Sequence, residues 1–130
     1  LANNATLAGH VHLGDWAFVG GLAGIHQFVH VGAHAMVGFQ AHVAQDVAPY
    51  MTVDGQPLAV RAVNLVGLKR RDFSPERITV IRRMHKLIFR DSLTLEQAKA
   101  EVAGLRGQGG DEDVQVMLDF LAAAKRGLVR

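Results

Sequence analysis

The chain has 130 residues, about the size of one ordinary domain, and its 14 Lys and Arg nearly balance 12 Asp and Glu. This balance excludes the uniformly basic surface of a typical nucleic-acid-binding domain, so we expect no nucleic-acid partner. The absence of cysteine excludes disulfides, thiolate catalysis and cysteine-based zinc sites. No stretch approaches the roughly 20 apolar residues of a membrane-spanning helix, so we expect no membrane span.

Charge is distributed unevenly along the chain. Residues 1–50 contain two acidic residues, Asp15 and Asp46, and no lysine or arginine, whereas every basic residue lies at or beyond Arg61. Six of the seven histidines lie in this first half. Proline and glycine residues between positions 49 and 57 mark a boundary. We therefore predict a repeat domain at 1–50, a connector at 51–73 and a helical domain at 74–130.

The first half contains an internal repeat of six residues. The second position of each hexad is Ala or Gly in seven of eight cases, with His26 as the exception. The first position is aliphatic in all eight: Leu1, Leu7, Leu13, Val19, Ile25, Val31, Val37 and Val43. A period of six fits neither a helix nor a long alternating strand, and it indicates a parallel β-helix with three hexads in each triangular coil. The aliphatic position is predicted to point inward, and the small residue to allow a tight corner.

Eight hexads form fewer than three coils of such a β-helix. Repeats of this kind bury their faces only against the coils above and below them. The chain also begins at Leu1 without an initiator methionine. We therefore expect further hexads to precede Leu1.

The second half predicts three helices. Ser74, followed by Pro and Glu, is predicted as the N-cap of the first. Thr94, with Gln97 three residues later, forms a capping-box pattern for a second helix that ends near Gly104. A third helix is predicted from about Glu112 to Lys125. Apolar residues at helical spacing predict the buried faces: Val80, Ile81, Met84, Leu87 and Ile88 in the first helix, and Val114, Met117, Leu118 and Leu121 in the third.

The histidines of the repeat are candidates for a binding site rather than for a metal site. No carboxylate accompanies their run, and histidines four residues apart fall at different phases of a hexad coil, so we predict no metal ligands. His26 breaks the small-residue rule between Ala8 and Ala44, its neighbours one coil away. With Gln27, and with His10 next to a glycine one coil below, it favours a polar binding cleft over a merely solvated corner.

Two groups of basic residues are further candidates. The run Lys69-Arg70-Arg71 is either a solvated charge patch or a phosphate clamp, because guanidinium groups match phosphate oxygens in two-point geometry. The row Arg82, Lys86 and Arg90 on the first predicted helix is either a solvated face or a surface for an acidic partner protein.

The hexads together with three short segments resemble one family throughout. The segments are Gly24-Ile25-His26-Gln27-Phe28, Val43-Ala44-Gln45-Asp46-Val47 and the connector from Val63-Asn64 to Arg71, and the terminal residues 126–130 also match. The family is the acyl-carrier-protein-dependent UDP-N-acetylglucosamine O-acyltransferases of lipid A synthesis. The resemblance corresponds only to their C-terminal half. It implies a left-handed parallel β-helix followed by a C-terminal helical domain, in a cytoplasmic homotrimer without a cofactor.

The resemblance also implies an activity and a set of site residues. The reaction is transfer of an (R)-3-hydroxyacyl group from acyl carrier protein to the 3-hydroxyl of UDP-N-acetylglucosamine, with the catalytic histidine base expected upstream of Leu1. Gly9 matches the oxyanion-hole position. The remaining matches are the substrate-binding residues His10, His26, Gln27, Asn64, Arg70 and Arg71, the acyl-groove residues Met36 and Phe39, and the carrier-protein contacts Arg82, Arg83, Lys86 and Arg90. The alternatives are a non-catalytic or metal-binding hexapeptide-repeat trimer and the related lipid A N-acyltransferase.

Phe39 departs from the family resemblance in an informative way. The family often has glycine at this position, which leaves a deep groove for the acyl chain. A phenyl ring would fill several methylene lengths of that groove, and a steric clash with extra methylenes costs a few kcal/mol. We therefore expect an acyl donor shorter than fourteen carbons and nearer to about ten.

Overall fold

A computed structural model of the chain describes residues 5–124 and 127–130. It divides into two compact units, the described parts of Leu1–Asn64 and Ala124–Arg130 in one, and Leu65–Ala123 in the other. This division differs from the expected boundaries at residues 50 and 73. Strands continue beyond residue 50, and Leu128 forms a parallel bridge with Asp46, so both segments belong to the first unit.

Two-residue strands recur every six residues along the first unit. They are β1 Thr6–Leu7, β2 His12–Leu13, β3 Phe18–Val19, β4 Gly24–Ile25, β5 His30–Val31, β6 Met36–Val37 and β7 His42–Val43. Each of β1 to β4 pairs in parallel with the strand 18 residues further on, as Thr6 does with Gly24, so three hexads make one coil. Three sheets follow, β1-β4-β7, β2-β5 and one that contains β3-β6. The predicted β-helix is confirmed.

The first hexad position forms the core of this β-helix, as the repeat predicts. Val19, Ile25, Val31, Val37 and Val43 are all 0–2% exposed. Leu7 and Leu13, in the first described coil, are only half-buried. Leu1, predicted to belong to the same column, lies outside the described residues. The fifth position is inward as well from residue 23 onward, where it is always buried Ala or Val.

The corners of the coils fall at the fourth hexad position. The φ angle lies between 59° and 67° at six successive fourth positions: His10, Trp16, Leu22, Phe28, His34 and Gln40. This left-handed conformation is costly for residues with a Cβ, by about 1–2 kcal/mol each. A ladder of backbone bonds offsets the cost, because the N–H groups of Phe28, His34 and Gln40 donate to carbonyls one coil below, at 3.4, 2.8 and 2.8 Å.

The small second position is required by the stacking of coils, and not by the dihedral angles of the corner. A Cβ on Gly20 would lie 2.8 Å from three backbone atoms of residues 37–39 in the next coil. On the β1-β4-β7 face the second position points outward instead, and Ala8, His26 and Ala44 are exposed there. His26 can therefore break the small-residue rule without disturbing the stack.

The repeat ends in a hairpin and a returning chain end. β8, Met51–Asp54, continues the β3-β6 sheet in parallel, and β9, Ala59–Val63, pairs antiparallel with β8. The Asp46 N–H donates to the Gly127 carbonyl at 3.0 Å, and the Val129 N–H donates to the Asp46 carbonyl at 2.8 Å. The Asp46 carboxylate accepts the His30 N–H at 2.8 Å, which satisfies a side chain that is only 3% exposed.

The second unit is helical. Its helices are α1 Leu65–Arg70, α2 Pro75–Phe89, α3 Leu95–Ala103 and α4 Asp111–Ala123, and the last three pack on one another. The predicted Ser74 N-cap and the capping box of Thr94 and Gln97 are confirmed. The short helix α1 was not predicted. α4 ends two residues earlier than expected, and Lys125, its predicted end, lies outside the described residues.

Some residues of the helical unit are buried or exposed differently from the prediction. Leu87 and Leu118, expected inward, are half-buried, whereas Asp113 and Phe120 are buried. Asp113 tolerates burial because Arg77 donates two hydrogen bonds of 2.8 Å to its carboxylate. Among residues 5–124 and 127–130, no helix has the length and apolar character needed to cross a bilayer.

We predict that the substitution Gly20→Ala destabilises the β-helix by about 1–3 kcal/mol, because the new methyl group meets the backbone of the next coil. Gly24→Ala is the matched control, since a Cβ there meets nothing within 4 Å, and its effect should be less than about 1 kcal/mol. Chemical denaturation of both variants measures the difference. Equal stabilities would contradict the role assigned to coil stacking.

Candidate functional site

An open groove of about 430 Å³ lies on the β1-β4-β7 face of the β-helix. Its lining residues are Thr6, Ala8, Gly24, Ile25, His26 and Gln27. His26 and Gln27, both exposed, are the large polar side chains of this lining. The structure thus brings together two of the predicted substrate-binding residues, on an otherwise small and apolar floor.

Gly9 and His10 form the corner that follows Ala8. The His10 ring stacks on the ring of Phe28 one coil above, with centroids 5.1 Å apart and planes inclined by 10°. The Gly9 carbonyl accepts the Phe28 N–H, while no acceptor for the Gly9 N–H occurs in the part of the chain that the structure describes. Space is open at Gly9, where a Cβ would meet nothing within 4 Å. An accessible N–H of this kind is suited to an oxyanion.

Asn64 is tied into the first unit. Its side-chain Nδ2 donates to the His34 carbonyl at 3.0 Å, and its backbone N–H donates to the Tyr50 carbonyl at 2.8 Å. The residue is 7% exposed, and the His34 and Tyr50 rings stack beside these bonds with centroids 5.8 Å apart. Asn64 was predicted to contact the substrate, and its side-chain amide already donates a hydrogen bond that holds the end of β9 against the β-helix.

Arg70 and Arg71 lie at the end of α1, in the second unit. Arg70 is exposed, and Arg71 is half-buried, with its N–H donating to the carbonyls of Gly67 and Leu68 at 3.2 Å each. Cations at a helix C-terminus are favoured by its negative carbonyl ends. The arrangement leaves the Arg70 side chain open to solvent.

Met36 and Phe39 belong to the β3-β6-β8 side of the β-helix. Met36 pairs with Phe18 one coil below and with Thr52 above, so Phe18 extends the apolar column. Phe18, Met36 and Phe39 are 44%, 37% and 64% exposed, which is unusual for large apolar side chains that lie close in the repeat. Exposed apolar surface of this kind marks a ligand or protein contact.

The basic residues predicted to contact a carrier protein are all exposed: Arg82, Arg83 and Lys86 in α2, and Arg90 at its C-cap. Lys86 also pairs with Asp91 at 3.0 Å, and Arg83 donates to Gln108. Beside them, α2 and α3 enclose a groove of about 300 Å³ whose lining includes Arg83, Lys86 and the half-buried Leu87. Asp91 and Glu101 also line this groove, so it combines charges of both signs with an apolar floor.

Two further histidines of the β-helix contact each other. His12 and His30 meet edge to face with centroids 4.4 Å apart. Burial and the neighbouring His12 lower the pKa of His30, and Asp46 opposes the shift. Within residues 5–124 and 127–130, no group of three or more His, Asp or Glu is placed to hold a metal ion.

A parallel β-helix of six-residue repeats followed by a helical unit defines a hexapeptide-repeat protein. The family model for UDP N-acetylglucosamine O-acyltransferase, domain 2, matches residues 46–129. The chain therefore belongs to the UDP-N-acetylglucosamine O-acyltransferase family.

Relatives and solved structures match along nearly the whole chain. The acyl-[acyl-carrier-protein]–UDP-N-acetylglucosamine O-acyltransferase of Leptothrix cholodnii is 73% identical over 100% of this chain and 51% of that protein. The enzyme of the same name from Verminephrobacter eiseniae is 56% identical, over 100% and 50%. The crystal structure of UDP-N-acetylglucosamine O-acyltransferase from Moraxella catarrhalis matches with a TM-score of 0.93 at 33% identity, over 98% and 49%. The chain thus spans about half the length of these proteins.

Sequence reasoning missed two aromatic residues beside the predicted site, Phe28 next to His10 and Phe18 next to Met36. The signal was present in the repeat, because residues 18 apart occupy one column of the β-helix. Applying that spacing to His10 leads to Phe28, and applying it to Met36 leads back to Phe18.

The lowered pKa of His30 makes stability depend on pH in a defined direction. Because the folded-state pKa lies below the ordinary value of 6.5, the unfolded chain takes up the proton first as pH falls. This contribution to stability is present above that value and is lost below it. We expect His30→Gln to flatten the fall in unfolding free energy between pH 7 and pH 5.

The exposed His42, on the next face, supplies the control His42→Gln. Some slope should remain in every variant, because burial and the neighbouring Arg90 also lower the pKa of His85. Urea unfolding at a series of pH values measures the slopes. Identical slopes for the wild type and His30→Gln would contradict the prediction.

Proposed function

We propose that this chain is the C-terminal half of an enzyme that transfers an (R)-3-hydroxyacyl group from acyl carrier protein to the 3-hydroxyl of UDP-N-acetylglucosamine. The observation that carries the proposal is the 73% identity, along the whole chain, with the O-acyltransferase of Leptothrix cholodnii. The family match favours this reaction over both alternatives, the non-catalytic repeat trimer and the N-acyltransferase.

The chemistry divides between this chain and the residues expected before it. A histidine one coil below Gly9 accepts the proton of the sugar hydroxyl, whose oxygen attacks the thioester carbonyl carbon. The negative charge that develops on the carbonyl oxygen is stabilised by the Gly9 N–H, which has no acceptor among the described residues. The carbon–sulfur bond then breaks, and the carrier-protein thiol leaves with a proton.

The sugar nucleotide occupies the groove on the β1-β4-β7 face. His26 and Gln27 contact it from the groove wall, and His10 from the adjoining corner. Arg70 and Arg71 bind the phosphates, for which a guanidinium group supplies paired donors. Asn64, whose Nδ2 donates to the His34 carbonyl, is a further contact of the sugar nucleotide.

The acyl chain and its carrier protein use two other surfaces. The exposed apolar column around Met36 and Phe39 holds the hydrocarbon, and the basic face of α2 receives the acidic carrier protein. The exposed apolar residues outside this column are buried when three copies assemble into a homotrimer, with each active site between subunits. We place this enzyme in the cytoplasm.

The Phe39 ring is expected to set an upper limit on acyl-chain length. The substitution Phe39→Gly in the whole enzyme should raise kcat/KM for a fourteen-carbon 3-hydroxyacyl donor, relative to a ten-carbon donor, by roughly tenfold or more. The measurement is acyl transfer to UDP-N-acetylglucosamine with donors of ten, twelve and fourteen carbons. A wild-type enzyme that transfers none of them would refute the proposed function, and unchanged selectivity in the variant would remove Phe39 from the groove.

The Arg70 side chain is expected to bind a phosphate of the sugar nucleotide. Loss of a charge-assisted hydrogen bond is worth about 1.5–3 kcal/mol, so Arg70→Ala should raise KM for UDP-N-acetylglucosamine by roughly tenfold or more while kcat changes little. Arg106→Ala is the control, because this exposed arginine pairs with Gln115 within the helical unit. Steady-state kinetics with varied sugar nucleotide decides, and an unchanged KM would exclude Arg70 from the site.

A further inference from the structure

We infer that Phe28 is a positioning residue whose ring holds the His10 imidazole in the orientation that contacts the sugar nucleotide. The inference rests on the proposed function, since it gives His10 that contact. Phe28 itself need not touch the substrate.

The geometry of the pair is that of a fixed stack. The two rings lie in adjacent coils at the same corner of the β-helix, with centroids 5.1 Å apart and planes inclined by only 10°. Both residues have left-handed φ angles, 59° at His10 and 67° at Phe28, so the two side chains leave the backbone in similar directions. An exposed imidazole on its own samples several rotamers, and a parallel ring against its face restricts them.

Phe28 is also attached to the peptide that precedes His10. Its N–H donates to the Gly9 carbonyl at 3.4 Å, so backbone and ring together hold the Gly9–His10 corner. The turn that carries Phe28 also carries the groove residues, because His26 and Gln27 immediately precede it and the His26 carbonyl accepts the Val29 N–H at 3.3 Å. One turn therefore presents two side chains to the groove and orients a third.

A second ring stack in the same β-helix, between His34 and Tyr50, differs from the His10–Phe28 stack because one of its rings is a core residue. His34 stacks on Tyr50 with an inclination of 11°, but Tyr50 is 2% exposed and belongs to the core. Phe28 is 53% exposed and lies outside the core column, to which the nearby residues Ile25 and Val31 belong. Phe28, unlike Tyr50, is therefore not a core residue, and its stack with His10 lies at the surface.

The test compares Phe28→Leu, which removes the ring but keeps apolar bulk, with Phe28→Tyr, which keeps the ring. We expect Phe28→Leu to raise KM for UDP-N-acetylglucosamine by roughly tenfold while KM for the acyl carrier protein donor is unchanged, and Phe28→Tyr to behave as the wild type. Gln40→Ala is the control, since Gln40 occupies an equivalent left-handed corner with the same backbone bond to the coil below. A Phe28→Leu enzyme with wild-type KM values would overturn the inference.

A spectroscopic readout separates orientation from folding. In the whole enzyme labelled with ¹³C-histidine, ring current from Phe28 should shift the carbon-bound protons of His10 upfield, and this shift should vanish in Phe28→Leu but persist in Phe28→Tyr. His10 protons without a ring-current shift in the wild type would overturn the stack, whatever the variants do.

A double-variant cycle tests whether Phe28 acts through His10. In a His10→Ala background, Phe28→Leu should have no further effect on KM for the sugar nucleotide. A full additional effect would show that Phe28 acts by another route. Failure of the inference and failure of the proposed function are distinct, because an enzyme without acyl transfer refutes the function while the His10 proton shifts still report on the stack.

Discussion

The close approach of successive coils is the constraint on which the first unit depends. At Gly20 the next coil lies so near that a single methyl group would meet three backbone atoms at 2.8 Å. That distance fixes the second hexad position as small on two faces and brings the ladder carbonyls within reach of the corner N–H groups. The third face is freed from the constraint, and it is this face that carries His26 and the groove.

The helical unit depends on a different kind of contact. Arg77 places its guanidinium group on the buried Asp113 carboxylate, and its guanidinium carbon lies 3.8 Å from the centroid of the Phe73 ring. These contacts join the start of α2, the start of α4 and the segment between α1 and α2. A buried carboxylate of this kind is tolerated only with its partner in place, so loss of Arg77 would leave an unpaired charge in the core of the helical unit.

The sequence was sufficient to predict the β-helix, because the six-residue period encodes its core column directly. The caps at Ser74 and Thr94 were also predictable, since each depends on a side chain and a backbone N–H three residues away. The burial of Asp113 could not be predicted, because its partner Arg77 is 36 residues away and no local sequence pattern links the two residues. The return of the terminal residues to Asp46 and the helix α1 were missed for related reasons, a distant pairing and a segment too short for periodicity.

The left-handed corners have a consequence for how much of the sequence the fold leaves free. Bonds to the coil below stabilise the fourth hexad position at Phe28, His34 and Gln40, and side chains as different as His, Trp, Leu, Phe and Gln occupy it along the repeat. The core needs chiefly the first and fifth positions, and stacking needs the second on two faces. The other columns form a surface whose side chains can be exchanged independently of the scaffold. The neighbour of each residue in a column is the residue 18 positions away. Gly9, His10, Gln27, Met36 and Phe39 all belong to those columns.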